Sequence, residues 1–448
     1  MKEGSLGSES IAMLTGIGIR PPHSPFPRFP IPDCRFPSAL QSTLTPLIPD
    51  PIDPPPILSV SPNDGYIGPM RSLILLALAL LAAPRAYAQR TEGDYVEHDF
   101  RFASGESLPE LRIHYVTLGH LRRDSDGVVR NAVLMLHGTT GSGTGLVRPM
   151  SLLFAPGAPL DTSTHYIIFP DGIGHGRSSK PSDGLGMRFP KYTYDDMVDA
   201  QRRLLVDGLG VNHLRLVMGT SMGCMHAWVW GERYAGFADG LAPLACAPTA
   251  IAGRNRMMRE LIINDIESDP DWKNGTYHTS PLRGLRAAMG ILFVMTSAPL
   301  VQQRQAPTRA QADSEILAYI DHHAQALDAN DVIYAFEASR VYDPSGQLGK
   351  ITVPVLAINS ADDFVNPPEL GLMEKLMPQV KHGRYVLIPT SSHTFGHGTH
   401  SHPEVWGSYL AAFLDSLPYT GTRPTSPTSP APHRAHGTAR HTQHVAGS

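Results

Sequence analysis

Residues 214–230 read LRLVMGTSMGCMHAWVW, and no other stretch constrains this chain as strongly. Leu214 to Gly219 is an apolar run with the length and character of a buried strand. Gly219-Thr220-Ser221-Met222-Gly223 follows, and Cys224 to Tyr234 then reads as a helix. Strand, G-x-S-x-G and helix together make a turn so tight that only glycines fit beside the serine, which is pushed into a strained conformation with its hydroxyl exposed above the sheet. The start of the helix brings the Met222 N–H and the helix dipole to face any negative charge that develops there. A glycine-rich turn with an ordinary serine has the same five residues, and the chain has 41 Gly. The flanking strand and helix favour a nucleophile at Ser221.

The 448 residues are 42% hydrophobic and 17% charged with a net charge of −4, so a large buried core is within reach and there is no electrostatic footprint for nucleic acid. Cys34, Cys224 and Cys246 have no metal-ligand spacing and imply no disulfide framework. Residues 1–69 are rich in Pro and Ser and lack sustained apolar periodicity. Met70-Arg71 then precedes Leu73–Ala83, and the run closes on Ala86-Tyr87-Ala88. A basic start, a short apolar core and an A-x-A ending describe a secretory signal peptide over 70–88, too short for a permanent membrane span. The expectation is translation from Met70, with 1–69 a disordered extension outside the native protein and the product periplasmic or secreted. Residues 419–448, rich in Pro, Ser, Thr and His, are expected to be a disordered tail.

The folded part, 94–418, opens with a hairpin of Val96–Phe102 and Leu111–Thr117. Asn131–Leu136 and His165–Phe169 read as buried strands, Tyr194–Leu209 as an amphipathic helix, and Gly240–Ala247, Val353–Asn359 and Arg384–Ile388 as further strands. Alternating strands and helices predict an α/β fold: a mostly parallel sheet covered by helices on both faces. Strand signals stop between about 250 and 344, which suits an inserted helical cap over the strand ends, where ligand sites of such sheets lie.

A serine needs a base to take its proton, and the base needs an acid to orient it. In VLAINSADDFVNPP, Asp362 and Asp363 follow a strand, and Asp363, four before Pro367, is preferred; helix capping is the expected fate of the other. After the last strand, PTSSHTFGHGTHSH offers His393, His397, His400 and His402 without the helical i, i+4 register of a metal site. On residue chemistry alone His393 and His397 are equal candidates. A second oxyanion donor is expected in the loop His137-Gly138-Thr139-Thr140, from the N–H of Thr139 or Thr140.

From about Asp99 to Leu417 the chain resembles the α/β-hydrolase superfamily, in its homoserine O-acetyltransferase-like branch. The resemblance rests on SGESLPELRIHYVTLG, NAVLMLHGTTG, GTSMGCMHAWVW, DPDWKNGTYHTSPLRGLRAA, DANDVIYAFEASRVYDPSG, DDFVNPPE and GHGTH. It implies His397, in a Gly-His pair, as the base and Asp363 as its acid. Two positions depart from that branch. Where the transferases hold homoserine's carboxylate with an Arg and its ammonium with an Asp, this chain has Met289 and Gly398. Arg283 and Arg286 lie off the matched position. Each lost charged hydrogen bond removes roughly 1.5–3 kcal/mol of recognition.

The expectation is therefore an exported esterase-like hydrolase of small acyl esters, acting through acyl-Ser221 with Asp363 and His397, an oxyanion hole of Met222 and Thr139, and Met289 and Gly398 on the substrate. It needs no cofactor and no metal, and its partner is the small-molecule ester; a homodimer is left open. The alternatives are an acyltransferase of the homoserine O-acetyltransferase type and a binding protein on an inactive hydrolase scaffold.

Overall fold

The computed structural model describes residues 90–418. The readings of 1–69 as an extension, 70–88 as a signal peptide and 419–448 as a tail lie outside the described residues.

The apolar runs form strands without polar alternation because both their faces are covered. β3 (Ala132–Leu136) and β5 (Leu216–Thr220) are buried along their whole length. Val133, Met135, Leu216 and Met218 point into one core with Leu146, Trp406, Leu410 and Phe413. Leu134, Leu136 and Val217 point into the other with Met197, Val198, Trp228 and Trp230. The period of two thus divides one apolar run between two cores.

The sheet has eight strands in the order β1-β2-β4-β3-β5-β6-β7-β8. β1 (Arg90–Arg101) and β2 (Ser107–Leu118) form an antiparallel hairpin, and β2 pairs antiparallel with β4 (Tyr166–Pro170). The pairs from β4 through β3, β5, β6 (Leu241–Leu244) and β7 (Val355–Ser360) to β8 (Gly383–Ile388) are parallel. The helices named here are α1 (Gly143–Val147), α2 (Tyr194–Arg203), α3 (Met222–Arg233), α4 (Gly253–Glu267), α5 (Leu282–Thr296), α6 (Pro299–Gln305), α7 (Arg309–Ala326), α8 (Ala329–Glu337) and, after β8, α9 (Pro403–Ser416).

Two boundaries differ from expectation for physical reasons. The hairpin strands are 12 residues each, because β1 is largely solvent-exposed and its polar residues hide its period. The helix expected over 194–209 is α-helical to Arg203 and then a π-helical turn, Leu204–Gly208, which leaves Leu204 and Leu205 both fully buried. The sequence leaves open whether Cys224 and Cys246 pair; β6 returns the chain to the start of α3 and Cys224 is joined to Cys246, with Cα atoms 6.0 Å apart.

Between β6 and β7 lies the cap, α4 to α8, with its own core of Ile262, Ile266, Trp272, Leu285, Met289, Val332, Ile333 and Phe336. Buried Asn330 fastens it, accepting from Trp272 Nε1 at 2.9 Å and donating to the Gly275 carbonyl at 3.0 Å. Among the described residues no single helix is long and apolar enough to cross a membrane.

Candidate active site

β5 ends at Thr220 and α3 begins at Met222, so the whole reversal falls on Ser221, whose φ is 54°. A non-glycine residue persists there only because its surroundings over-determine it. A Cβ on Gly219 would lie 2.0 Å from the Gly223 carbonyl oxygen, and one on Gly223 would lie 2.2 Å from that of Leu136. Each glycine therefore marks a place where backbone meets backbone. The Ser221 N–H donates to Leu244 on β6, and the Gly223 N–H donates to His137 after β3, so both neighbouring strands hold the turn.

The side chains converge on the serine. Ser221 Oγ donates to His397 Nε2 at 2.8 Å, and His397 Nδ1 donates to Asp363 Oδ2 at 2.9 Å. Asp363 is 2% exposed. Burial pushes its carboxyl pKa up, but the His397 imidazole, the Asn366 amide and the Val365 N–H outweigh that and hold it below the usual carboxylate range. Asp363 Oδ1 accepts from the Val365 and Asn366 N–H groups, and Oδ2 accepts from Asn366 Nδ2 at 3.0 Å. The same Asn366 amide donates to Ala245 after β6, which locks the acid to the neighbouring strand end. Asp362 was expected to cap a helix; instead it accepts from Ser360 Oγ and from the Gly396 N–H at 3.1 Å, fixing the loop that carries His397. His393 is exposed, with its N–H on Ser391 Oγ.

The loop after β3 lies beside the serine: a Cβ on Gly138 would be 3.4 Å from Ser221 Cβ. Two buried histidines hold this loop. His137 Nδ1 donates to the Gly138 carbonyl at 2.8 Å, and its Nε2 accepts from the Gly172 N–H at 2.9 Å. Burial, reinforced by His175, lowers its pKa to about 3, so the ring is neutral at working pH, as that pairing requires. His175 Nε2 reaches the Thr139 carbonyl at 2.5 Å. Among the described residues, no hydrogen bond takes the Thr139 or Met222 N–H, which leaves both available as donors.

These groups open into a cavity of about 310 Å³, walled by the HGTT loop, Ser221, His397, Gly398, His400, Ser401, Leu146, Val365 and the cap. A second cavity of about 430 Å³ shares Thr139 to Ser142 with it and carries Lys180, Asp328 and Asp331. Gly398 lines the first cavity. Met289 does not. It is fully buried in the cap core, and α5 contributes Leu292, Met295 and Thr296 to the wall instead. Met289 is therefore corrected from a substrate contact to a packing residue. The helix rolls so that positions 285, 288 and 289 face the cap interior, which a match of sequence positions does not show. Arg283 is exposed and Arg286 pairs with Asp321, so neither reaches the cavity. Arg259, Asn366 and His175 escaped the sequence reading; only Asn366, three residues after Asp363 in DDFVN, carried a local signal. Burial and the neighbouring His397 lower the His400 pKa to about 3, which makes it a neutral polar wall.

Residues 131–397 match the family described as alpha/beta hydrolase fold. A probable acyltransferase of Methanothermobacter thermautotrophicus is 31% identical over 286 residues, 63% of this chain and 86% of that protein. A homoserine O-acetyltransferase of Nitrobacter hamburgensis is 32% identical over 272 residues, 53% of this chain and 67% of that one. Among solved structures, an acetylester hydrolase from Corynebacterium glutamicum superposes with a TM-score of 0.64 at 19% identity, covering 73% of this chain and 96% of its own.

Proposed function

The chain belongs to the alpha/beta hydrolase family, as an enzyme of its acyltransferase and esterase class, and on that footing we propose that it moves a small acyl group from an ester or thioester donor to an alcohol through an acyl-Ser221 intermediate. The observation that carries this is the continuous hydrogen-bond chain Ser221–His397–Asp363, whose first two members line the cavity. Ser221 Oγ attacks the donor carbonyl while His397 Nε2 takes its proton, and Asp363 keeps the imidazole oriented and balances the charge it gains. The negative charge on the carbonyl oxygen falls to the Met222 and Thr139 N–H groups. Collapse breaks the bond to the leaving group, which departs with the proton from His397. The acceptor hydroxyl then gives its proton to His397, attacks the acyl carbon, and Ser221 is regenerated.

An alcohol acceptor is favoured over water by the names of the relatives at 31% and 32% identity and by a second cavity on the other side of the Thr139–Ser142 loop, which offers room beyond that around Ser221. Hydrolysis is the second reading, favoured by the cavity around Ser221 being open rather than enclosed, so that water can reach the acyl-enzyme. The test is partition of one acyl-enzyme. With a short acyl ester as donor, increasing concentrations of a primary alcohol should divert most of the acyl flux from free acid to new ester, with saturation. Free acid as the sole product at every alcohol concentration would leave hydrolysis as the activity, and absence of any acyl-enzyme would remove both readings.

The compartment follows as part of the proposal. The signal-like segment 70–88 and the buried Cys224–Cys246 disulfide both support an oxidising, extracytoplasmic setting. Expression from Met70 in a bacterial host should yield exported protein beginning at Gln89, read by mass spectrometry of the N-terminus. A soluble cytoplasmic product retaining 71–88 would refute the export reading.

A further inference from the structure

We infer that Arg259 forms an anion subsite beside Ser221, so that the preferred substrate carries a carboxylate. This rests on the acyl-transfer reading of Ser221 and adds the chemical class of what binds there.

Arg259 lies on α4 and is 2% exposed. It lines the main cavity together with Ser221 and His397, and the same three residues line a recess of about 50 Å³ on the β6 side of the serine. Every partner of its guanidinium among the described residues is neutral. Nε donates to Asn255 Oδ1 at 2.9 Å, Nη1 donates to Ser339 Oγ at 3.2 Å, and the group stands 5.5 Å from the centre of the Phe336 ring. The carboxylate nearest in sequence, Glu260, pairs with Arg256, as does Glu337, which also holds Arg340. Burial pulls the Arg259 pKa below the ordinary arginine value, and the nearby Arg256 charge adds to that pull.

A buried cation with no anion is costly, and buried charges are normally paired. The neutral hydrogen bonds orient the guanidinium without cancelling its charge. Two further polar groups are in the same condition. The Tyr194 hydroxyl, which lies close to Arg259, is fully buried and makes no well-formed hydrogen bond. The Thr220 hydroxyl is buried without a partner on the cavity wall beside Ser221. An arginine fork presents a planar pair of donors that matches a carboxylate, and a bound carboxylate would supply the missing charge. The rest of the wall is apolar side chains such as Leu146, Leu292, Met295 and Val365 together with neutral hydroxyls and imidazoles, with no carboxylate among the described residues to pair an ammonium, so an ester carrying one carboxylate fits the lining better than a zwitterion.

The carboxylate could sit on the acyl half, as in a monoester of a dicarboxylic acid, or on the alcohol half, as in an O-acetyl hydroxy acid. Each is compared with its neutral counterpart, the methyl-capped diester or the amide, on the wild-type enzyme and on Arg259→Gln. One of the two anionic esters should be preferred over its counterpart by about 10- to 100-fold in kcat/KM, expressed in KM, and Arg259→Gln should collapse that ratio. Whichever pair shows the preference identifies the half that bears the carboxylate. Tyr194→Phe, which keeps the buried ring, should lower the same ratio by a smaller factor, so the idea stays testable if Arg259→Gln does not fold. No preference for either anionic ester in the wild type, or an equal loss on anionic and neutral esters in the variants, would overturn the subsite. Turnover of the neutral esters and covalent labelling of Ser221 report separately on the acyl-transfer reading.

Discussion

Ser221→Ala should lose turnover by about 10⁴- to 10⁶-fold while melting close to the parent protein. The fold is expected to survive because the hydroxyl does not shape the turn. Gly219 and Gly223 do, by letting backbone approach backbone at distances no Cβ allows, and the Ser221 N–H is fixed to Leu244. Alanine keeps the Cβ that already tolerates a φ of 54°. The only hydrogen bond of the Ser221 hydroxyl among the described residues is the one to His397. A fluorophosphonate probe should label Ser221 in the parent and no serine in the variant, as read by peptide mass spectrometry. Retained activity in the alanine variant, or labelling at another serine, would end the acyl-Ser221 mechanism. A variant that loses activity by unfolding would show it in its melting curve, so the two causes of loss separate.

The elements most visible in the sequence were those whose meaning is local. β3 and β5 are continuous apolar runs because helices cover both faces, and the tight turn after β5 has few alternatives in residue type. The HGTT loop and the Asp362-Asp363 pair were visible as loops following strands. What separates Asp363 from Asp362 is three-dimensional: one carboxylate accepts from Val365 and Asn366 and turns to His397, while the other turns to Gly396. Met289 shows the limit of matching positions along a helix, since the roll of α5 decides which residues face the cavity. Arg259 was hidden for another reason. Its significance lies in the lack of a carboxylate around it, and that depends on how Arg256 and Arg340 take up the acids nearby.

His397→Ala should match Ser221→Ala in severity, His393→Ala should stay within a few-fold of the parent, and the double variant Ser221→Ala/His397→Ala should be no worse than either single one. Both histidines follow β8 by a short loop, so distance along the chain does not choose between them. The loop does. It turns at Gly396, where φ is 61° and a Cβ would lie 3.1 Å from both the Ala298 Cβ and the Ser297 carbonyl oxygen. Asp362 holds the Gly396 N–H, and the next residue is thereby aimed inward with Nε2 on Ser221 and Nδ1 on Asp363. His393 sits earlier, exposed, before the turn is made. A second imidazole, that of His400, lies nearby, its ring 5.2 Å from that of His397. It is held neutral by burial, with a pKa near 3, and its Nδ1 is engaged by the Ser401 hydroxyl, so it is a poor proton acceptor for the serine. Residues that act as one unit lose their effect together, so removing a second member after the first should add nothing. The measurement is kcat/KM for the same acyl ester on the four variants at fixed pH. A severe His393→Ala and a mild His397→Ala would show that another loop conformation operates in solution. An additive double variant would show that the serine and the imidazole do not work as a pair.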